Sequence, residues 1–254
     1  MVADFIHELE TLTNQKITTE QTEIGVVLTI NHELTIHFIE LSKINKNLDL
    51  PSWKEKIKLE NVISIFENEW RDKRAGALSR IKSKLGLNNK IYARKTIVKK
   101  LNRSEAYDFL FENHINDALK TKYNFGLMYN GEIVAIASFG SIMNKKTEGK
   151  GDMSGELIRF CNKLDYTVVG GLSKLLKHFI TQYQVDDVMT YIDKDWSNGK
   201  SFINLGFEVV GEKTDFFHYF DLETKQFVQE INLQSNTVTI YKSGLLKLLF
   251  KVEK

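Results

Sequence analysis

The stretch Val168-Val169-Gly170-Gly171-Leu172-Ser173-Lys174-Leu175-Leu176-Lys177-His178-Phe179 narrows most what this chain can fold into. It follows an apolar strand candidate, Glu156 to Phe160, and opens a helix whose apolar positions Leu172, Leu175, Leu176 and Phe179 recur at helical spacing. Next come a second apolar strand, Asp187 to Ile192, and Ser201 to Leu205, a short helix stopped by Gly206 with another strand behind it. The order of strand, glycine turn, helix, strand and helix marks an α/β chain. Backbone N–H groups left unpaired at the helix start are a place where a pyrophosphate is held. Gly170, Gly171, Leu172 and Ser173 are the candidate amides, Ser173 and Lys174 the candidate side-chain contacts. Adjacent glycines let a ligand approach the backbone with no Cβ in the way.

Asp193 ends the strand after that helix, where an acid/base group facing a cofactor belongs. Its alternative role is to cap a helix following Asp195. Arg159 and Asn162 flank the same strand edge as Cys161, and Arg159 is read as structural or anion-binding. Trp196 is either core or a platform for stacking a base. Cys161 is the only cysteine, which excludes an internal disulfide and a multi-cysteine zinc site.

Charge is distributed unevenly. Between Arg71 and Arg103 stand twelve basic residues against one acid, Asp72, in a chain of 254 residues whose formal net charge is only +2. Arg71, Lys73, Arg74, Arg80, Lys82, Lys84, Arg94 and Lys95 are therefore the candidate nucleic-acid contacts, since a cationic segment on an otherwise acidic chain is the footprint of a polyanion partner. A solvated lysine-rich helix face is the alternative. No apolar run is long enough to span a membrane, and the opening MVADFIHELE lacks a signal peptide's order, so a cytoplasmic location is expected.

Along the chain, residues 1 to 15 read as a helix. Strands follow over Ile24 to Ile30 and Leu34 to Leu41, turning at Asn31-His32-Glu33. A helical stretch runs from Trp53 to Leu59, with a strand from Val62 to Phe66 and a basic helix from Lys73 to Leu85 stopped by Gly86. A domain boundary is expected within Leu87 to Lys95. Beyond it lie a strand near Ile97, a helix from Ser104 to His114 capped by Ser104, and a hairpin over Phe125 to Phe139 turning at Asn130-Gly131. Gly140 to Gly155 reads as an aperiodic loop. Three strands close the chain: Phe216 to Leu222, Val238 to Tyr241 and Leu245 to Val252.

Four segments carry a resemblance. ISIFENEWRDKRAGALSRIKSKLGLNNKIYARKT (63–96), ELIRFCNKLDYTVVGGLSKLLKHFI (156–180), YIDKDWSNGKSFINLGFEVVGE (191–212) and TIYKSGLLKLLF (239–250) resemble a phage-associated two-domain family. Its members join a Vsr-like, Hef-like (EDxHD) homing endonuclease domain to a GNAT-like domain of the Mom-type DNA modification class. The resemblance implies a small nuclease-like α/β domain over 1–93 and a GNAT-like mixed-sheet acyltransferase domain over 94–254. It implies an acyl-CoA or related activated donor at the glycine turn and DNA as partner. The family's nuclease carboxylates are missing: no aspartate stands in the strand around Val26, His37 takes the place of the second strand's glutamate, Leu48 falls near the helix histidine, and Asn68 replaces an aspartate between Glu67 and Glu69. No metal is expected there.

The reading that results is an acyltransferase modifying a nucleobase amine, with Asp193 as base and the N-terminal domain holding DNA. The alternatives are a non-catalytic DNA-binding relative of the homing endonucleases and, against the missing acids, an active endonuclease.

Overall fold

The structure is a computed structural model that describes residues 1–31, 33–58, 62–145, 152–230 and 236–253. The first part of the chain forms α1 (Val2–Thr13), β1 (Thr18–Thr22), β2 (Gly25–Ile30), β3 (Leu34–Ile39), β4 (Leu48–Asp49), α2 (Leu50–Lys56), β5 (Val62–Phe66), α3 (Glu67–Lys84), β6 (Asn89–Tyr92), β7 (Ile97–Lys100) and α4 (Arg103–Asn113). There follow β8 (Tyr123–Tyr129), β9 (Glu132–Phe139), β10 (Met143–Lys145), β11 (Asp152–Asn162), β12 (Tyr166–Val169), α5 (Gly171–Tyr183), β13 (Asp187–Asp193), α6 (Lys200–Ile203), β14 (Glu208–Lys213), β15 (Phe217–Asp221), β16 (Gln226–Val228), β17 (Thr237–Tyr241) and β18 (Leu245–Lys251). The fold is α/β with mixed sheets.

Two compact units emerge, and each is assembled from separate stretches: 1–74, 192–199 and 211–246 in the first, 75–191, 200–210 and 247–254 in the second. The chain leaves the first unit inside α3, next to Lys73, whose non-helical φ of −134° breaks that helix. The expected boundary at 93/94 thus lies within the second unit. Residues 89–92, inside the expected boundary segment, form β6 and pair in parallel with β12. Polar residues hid this strand because only Ile91 of β6 is buried.

In the first unit β1-β2-β3-β5 form a sheet, with β3 and β5 parallel and the other pairs antiparallel. All five residues of β5 are buried, as expected of a strand covered on both faces. Phe5 of α1 lies 4.8 Å from Phe38 and edge-on to Trp70 at 4.7 Å. Fully burying such rings contributes about 1.5–3 kcal/mol each. A second cluster gathers Ile39, Phe66, Phe220 and Ile240, so the late strands β15 and β17 complete this unit's core. The turn at His32 falls outside the described residues, as does Leu59 at the end of the expected helix.

The second unit is organised by a sheet of order β14-β18-β13-β11-β9-β8-β7, with β10 paired to β11. Asn130 and Gly131 take φ of 48° and 84°, the double left-handed geometry of a primed hairpin turn. Part of the expected loop at 140–155 is ordered instead: Met143–Lys145 pairs antiparallel with residues 152–154, while 146–151 lie outside the described residues. Helix α4 is capped by Asn102, not Ser104, in a reciprocal capping box with Glu105. On the sheet, Phe179 of α5 stacks flat on Phe139 at 3.8 Å. This close approach depends on Gly155, where a Cβ would meet Phe179 at 2.6 Å.

Candidate functional site

Where β11 and β13 run side by side they pair in parallel from Ser154↔Asp187 only as far as Leu157↔Thr190. At the last pair the Thr190 hydroxyl donates to the Leu157 carbonyl at 2.9 Å. Just beyond, the pairing of β11 with β9 shifts register between Leu157 and Arg159, so Ile158 is an extra residue, a bulge. β11 then continues to Asn162 without a further β13 partner. Backbone groups and side chains at 158–162 are consequently exempt from that strand pairing. Arg159 lies on this stretch; burial lowers its guanidinium pKa, its Nη1 donates to the Ile158 carbonyl, and its buried Nε has no partner.

The glycine turn follows. Gly170 takes φ +77° as N-cap of α5, a conformation that L side chains rarely adopt. The first intrahelical donor is the Lys174 N–H, bonded to the Gly170 carbonyl at 3.0 Å, so the amides of Gly171, Leu172 and Ser173 precede the helical ladder. Gly170 and Ser173 are exposed; Gly171 and Leu172 are buried.

Two residues of this turn make contacts that the sequence did not show. A Cβ on Gly171 would press on Val168 at 3.1 Å and Leu127 at 3.3 Å, so its missing side chain serves helix-to-strand packing. The Lys174 ammonium turns inward, donating to the carbonyls of Ala93 (2.9 Å) and Thr96. With a third, longer bond to the Thr96 hydroxyl (3.4 Å), it holds the 93–96 segment. That contact carries a consequence of its own: Arg94 and Lys95, exposed in the 3-10 turn Ala93–Lys95, are brought beside the glycine turn. The Ala93 Cβ is 3.6 Å from where a Cβ on Gly170 would stand.

Asp193 belongs to the first unit and the glycine turn to the second. Burial raises the Asp193 pKa against the lowering charge of Lys242. One carboxylate oxygen accepts from the Asp195 N–H at 2.9 Å, and its carbonyl accepts from Trp196 and Ser197. The segment is thus a turn, and no helix begins there; α6 starts only at Lys200. Trp196 is 1 % exposed and so is core. Cys161 is buried, its thiol pushed up to about 12 by burial, which removes it as a nucleophile.

The basic segment is less bare in space than along the chain. Arg74 pairs with Asp4 (3.0 Å) and Glu8 (2.6 Å), Arg71 with Asp72 (2.7 Å), Lys82 with Asp165 (2.7 Å) and Lys99 with Glu105 (2.9 Å). Lys73 and Arg80 also have partners. For Arg74 and Lys82 the acids are distant in sequence, so a count along the chain misses them. Lys84, Lys90, Arg94, Lys95, Lys100 and Arg103 are exposed on the second unit.

In the first unit Glu67 accepts from the Leu41 N–H (2.9 Å) and Glu69 from the Phe66 N–H (3.0 Å), so both acids brace backbone. His37 is fully buried, its pKa lowered to about 3 chiefly by burial and then by the Lys54 charge, and neither ring nitrogen has a partner. Beside it lies a network invisible in sequence: Lys54 donates to Asp195 (2.8 Å) and Ser243 (2.9 Å), and Ser243 donates to Asp195 (2.6 Å). Burial works to raise the Asp195 pKa, but the Lys54 charge and these bonds outweigh it and hold the carboxyl low.

No protein-family model matches the chain, and no curated protein matches it. Solved structures similar to part of it are acetyltransferases. The ribosomal-protein-S18-alanine N-acetyltransferase of Escherichia coli is 14% identical with a TM-score of 0.43, covering 63% of this chain and 95% of its own. A GNAT family acetyltransferase from Elizabethkingia anophelis with acetyl-CoA bound is 13% identical at TM-score 0.41, covering 62% and 99%. A Bacillus subtilis acetyltransferase in complex with CoA is 13% identical at TM-score 0.41, covering 63% and 100%.

Proposed function

We propose that the second unit binds a phosphorylated acyl donor of the acyl-CoA class and serves acyl transfer to an amine, with nucleic acid as the acceptor. The observation that carries this reading is the parting of β11 from β13 at Leu157/Thr190, with a bulge on β11 and an exposed glycine-capped helix start after it. A parted strand pair leaves a slot lined by backbone donors and acceptors, and a helix N-terminus attracts the phosphate end of an elongated ligand. The residues present fit such a group. The amides of Gly171, Leu172 and Ser173 and the Ser173 hydroxyl would hold phosphate oxygens, with Arg94 and Lys95 alongside as cations. The orphaned Arg159 Nε offers a further donor on β11. When bound, the donor supplies a thioester, a carbonyl activated toward an attacking amine. Asp193, at the end of β13, has a carboxyl that burial holds above the usual aspartate range, which makes it a better proton acceptor than an ordinary aspartate, and it is the candidate base.

Nucleic acid as acceptor is supported by the exposed cations Lys84, Lys90, Arg94, Lys95, Lys100 and Arg103 of the same unit. Native mass spectrometry of the full chain with CoA and acetyl-CoA tests the first step. One bound equivalent is expected; retention of none at millimolar ligand overturns the proposal.

A further inference from the structure

One face of the first unit's sheet is polar, and it borders a cavity of about 690 Å³. Small-molecule sites ordinarily measure about 300–1,000 Å³. Val27, Thr29 and Thr35 line it, and their registers Val27↔His37 and Thr29↔Thr35 put His37 on the same face by strand alternation. Trp53 of α2 forms a wall of the cavity while its ring lies on His37, centroids 4.6 Å apart and planes 12° from parallel. The Oγ1 of Thr22, another wall residue, is buried without a partner, and on the same sheet face so are both ring nitrogens of His37. Buried polar atoms left unpaired cost about 1–3 kcal/mol each unless something satisfies them. Four exposed charges of both signs rim the space, Glu20 and Glu23 from the β1–β2 hairpin, Lys56 and Lys58 from the end of α2. Among the described residues none of the four enters an ion pair.

We propose that this cavity binds a nucleotide whose base carries an exocyclic amine, free or unpaired within a strand. Such a ligand matches the lining group by group. Its flat ring stacks on Trp53, since every base has a π-face. Its amine donates to Glu20 or Glu23, its ring edge meets the threonine hydroxyls, and its phosphate sits by Lys56 and Lys58. An isolated anion would be repelled by the two carboxylates, and an isolated cation by the two lysines; a nucleotide carries both an amine donor and a phosphate. The inference stands apart from the acyl-donor reading, which concerns the other unit.

Titration of the full chain with AMP, CMP and dTMP, followed by tryptophan fluorescence and calorimetry, is the test. Trp53 is the half-buried reporter, because Trp70 and Trp196 are each 1 % exposed. AMP or CMP should bind saturably, about tenfold or more tighter than dTMP. Glu20→Gln with Glu23→Gln should weaken AMP by about tenfold, and Lys56→Ser with Lys58→Ser should weaken AMP but not adenosine. These residues are exposed, so the variants keep the fold. A duplex with one bulged adenine, set against a fully paired duplex, distinguishes the strand-borne source from the free nucleotide. Because CoA contains adenine, its binding is separated by Ser173→Asp, which should leave AMP binding unchanged. The proposal is overturned if no nucleotide or bulged duplex binds saturably at millimolar concentration, or if the glutamate and lysine variants bind AMP as the parent does.

Discussion

Replacing Ser173 with aspartate separates a helix start that merely caps from one that holds phosphate. Ser173 is exposed in the first turn of α5, which carries no acidic residue there. A carboxylate in that turn interacts favourably with the helix dipole by about 0.3–1 kcal/mol. For a protein of this size that raises the melting temperature by about 1–4 °C. The same carboxylate stands where the proposal places phosphate oxygens. Two unit charges about 5 Å apart at an effective dielectric near 20 repel by about 3 kcal/mol, a weakening of about 200-fold. Stability and affinity should therefore move in opposite directions. Thermal unfolding gives the first quantity and calorimetric titration with CoA the second. A variant that is equally or more stable yet binds CoA as tightly as the parent would refute the assignment of the helix start to the phosphates.

Gly155→Ala places a Cβ 2.6 Å from Phe179 and should cost about 1–3 kcal/mol by forcing that ring off Phe139; unchanged equilibrium unfolding would contradict the packing argument. His37 binds a proton in the unfolded chain below about pH 6.5 but in the folded one only below about 3. Between those values the unfolded state holds the extra proton, so stability falls on acidification by up to about 1.4 kcal/mol per pH unit. In His37→Leu that slope should flatten, as denaturant titrations at pH 7, 6 and 5 would register. Asp193→Asn keeps an oxygen to accept from the Asp195 N–H, so folding and CoA binding should persist while turnover is lost. In the parent, kcat/KM should rise with pH through a midpoint above that of an ordinary aspartate, and retained turnover in the variant would remove Asp193 from the chemistry.

The elements that were legible in the sequence are those whose signal is local. The Asn130-Gly131 hairpin, the apolar run of β5 and the glycine turn before an amphipathic α5 each follow from residues within a few positions of one another. What stayed hidden depends on partners far along the chain. Arg74 meets Asp4, and Lys54 meets Asp195 across 141 positions, so neither neutralisation can be read from a charge count. Lys174 reads as a phosphate ligand by its place in the turn, but carbonyls at 93 and 96 claim it. The division into units was obscured for the same reason: β15 and β17 join the core of the N-terminal sheet's unit, and periodicity does not report which core a strand enters.

Transfer of a labelled acyl group tests the central claim most directly. The full chain is incubated with isotope-labelled acetyl-CoA and with single- or double-stranded DNA, and the nucleic acid is digested to nucleosides for mass analysis. The account predicts label on an amine-bearing nucleoside, dependent on DNA and lost in Asp193→Asn. CoA that binds while no label reaches any nucleoside, under conditions where the protein remains folded, would contradict nucleic acid as the acceptor.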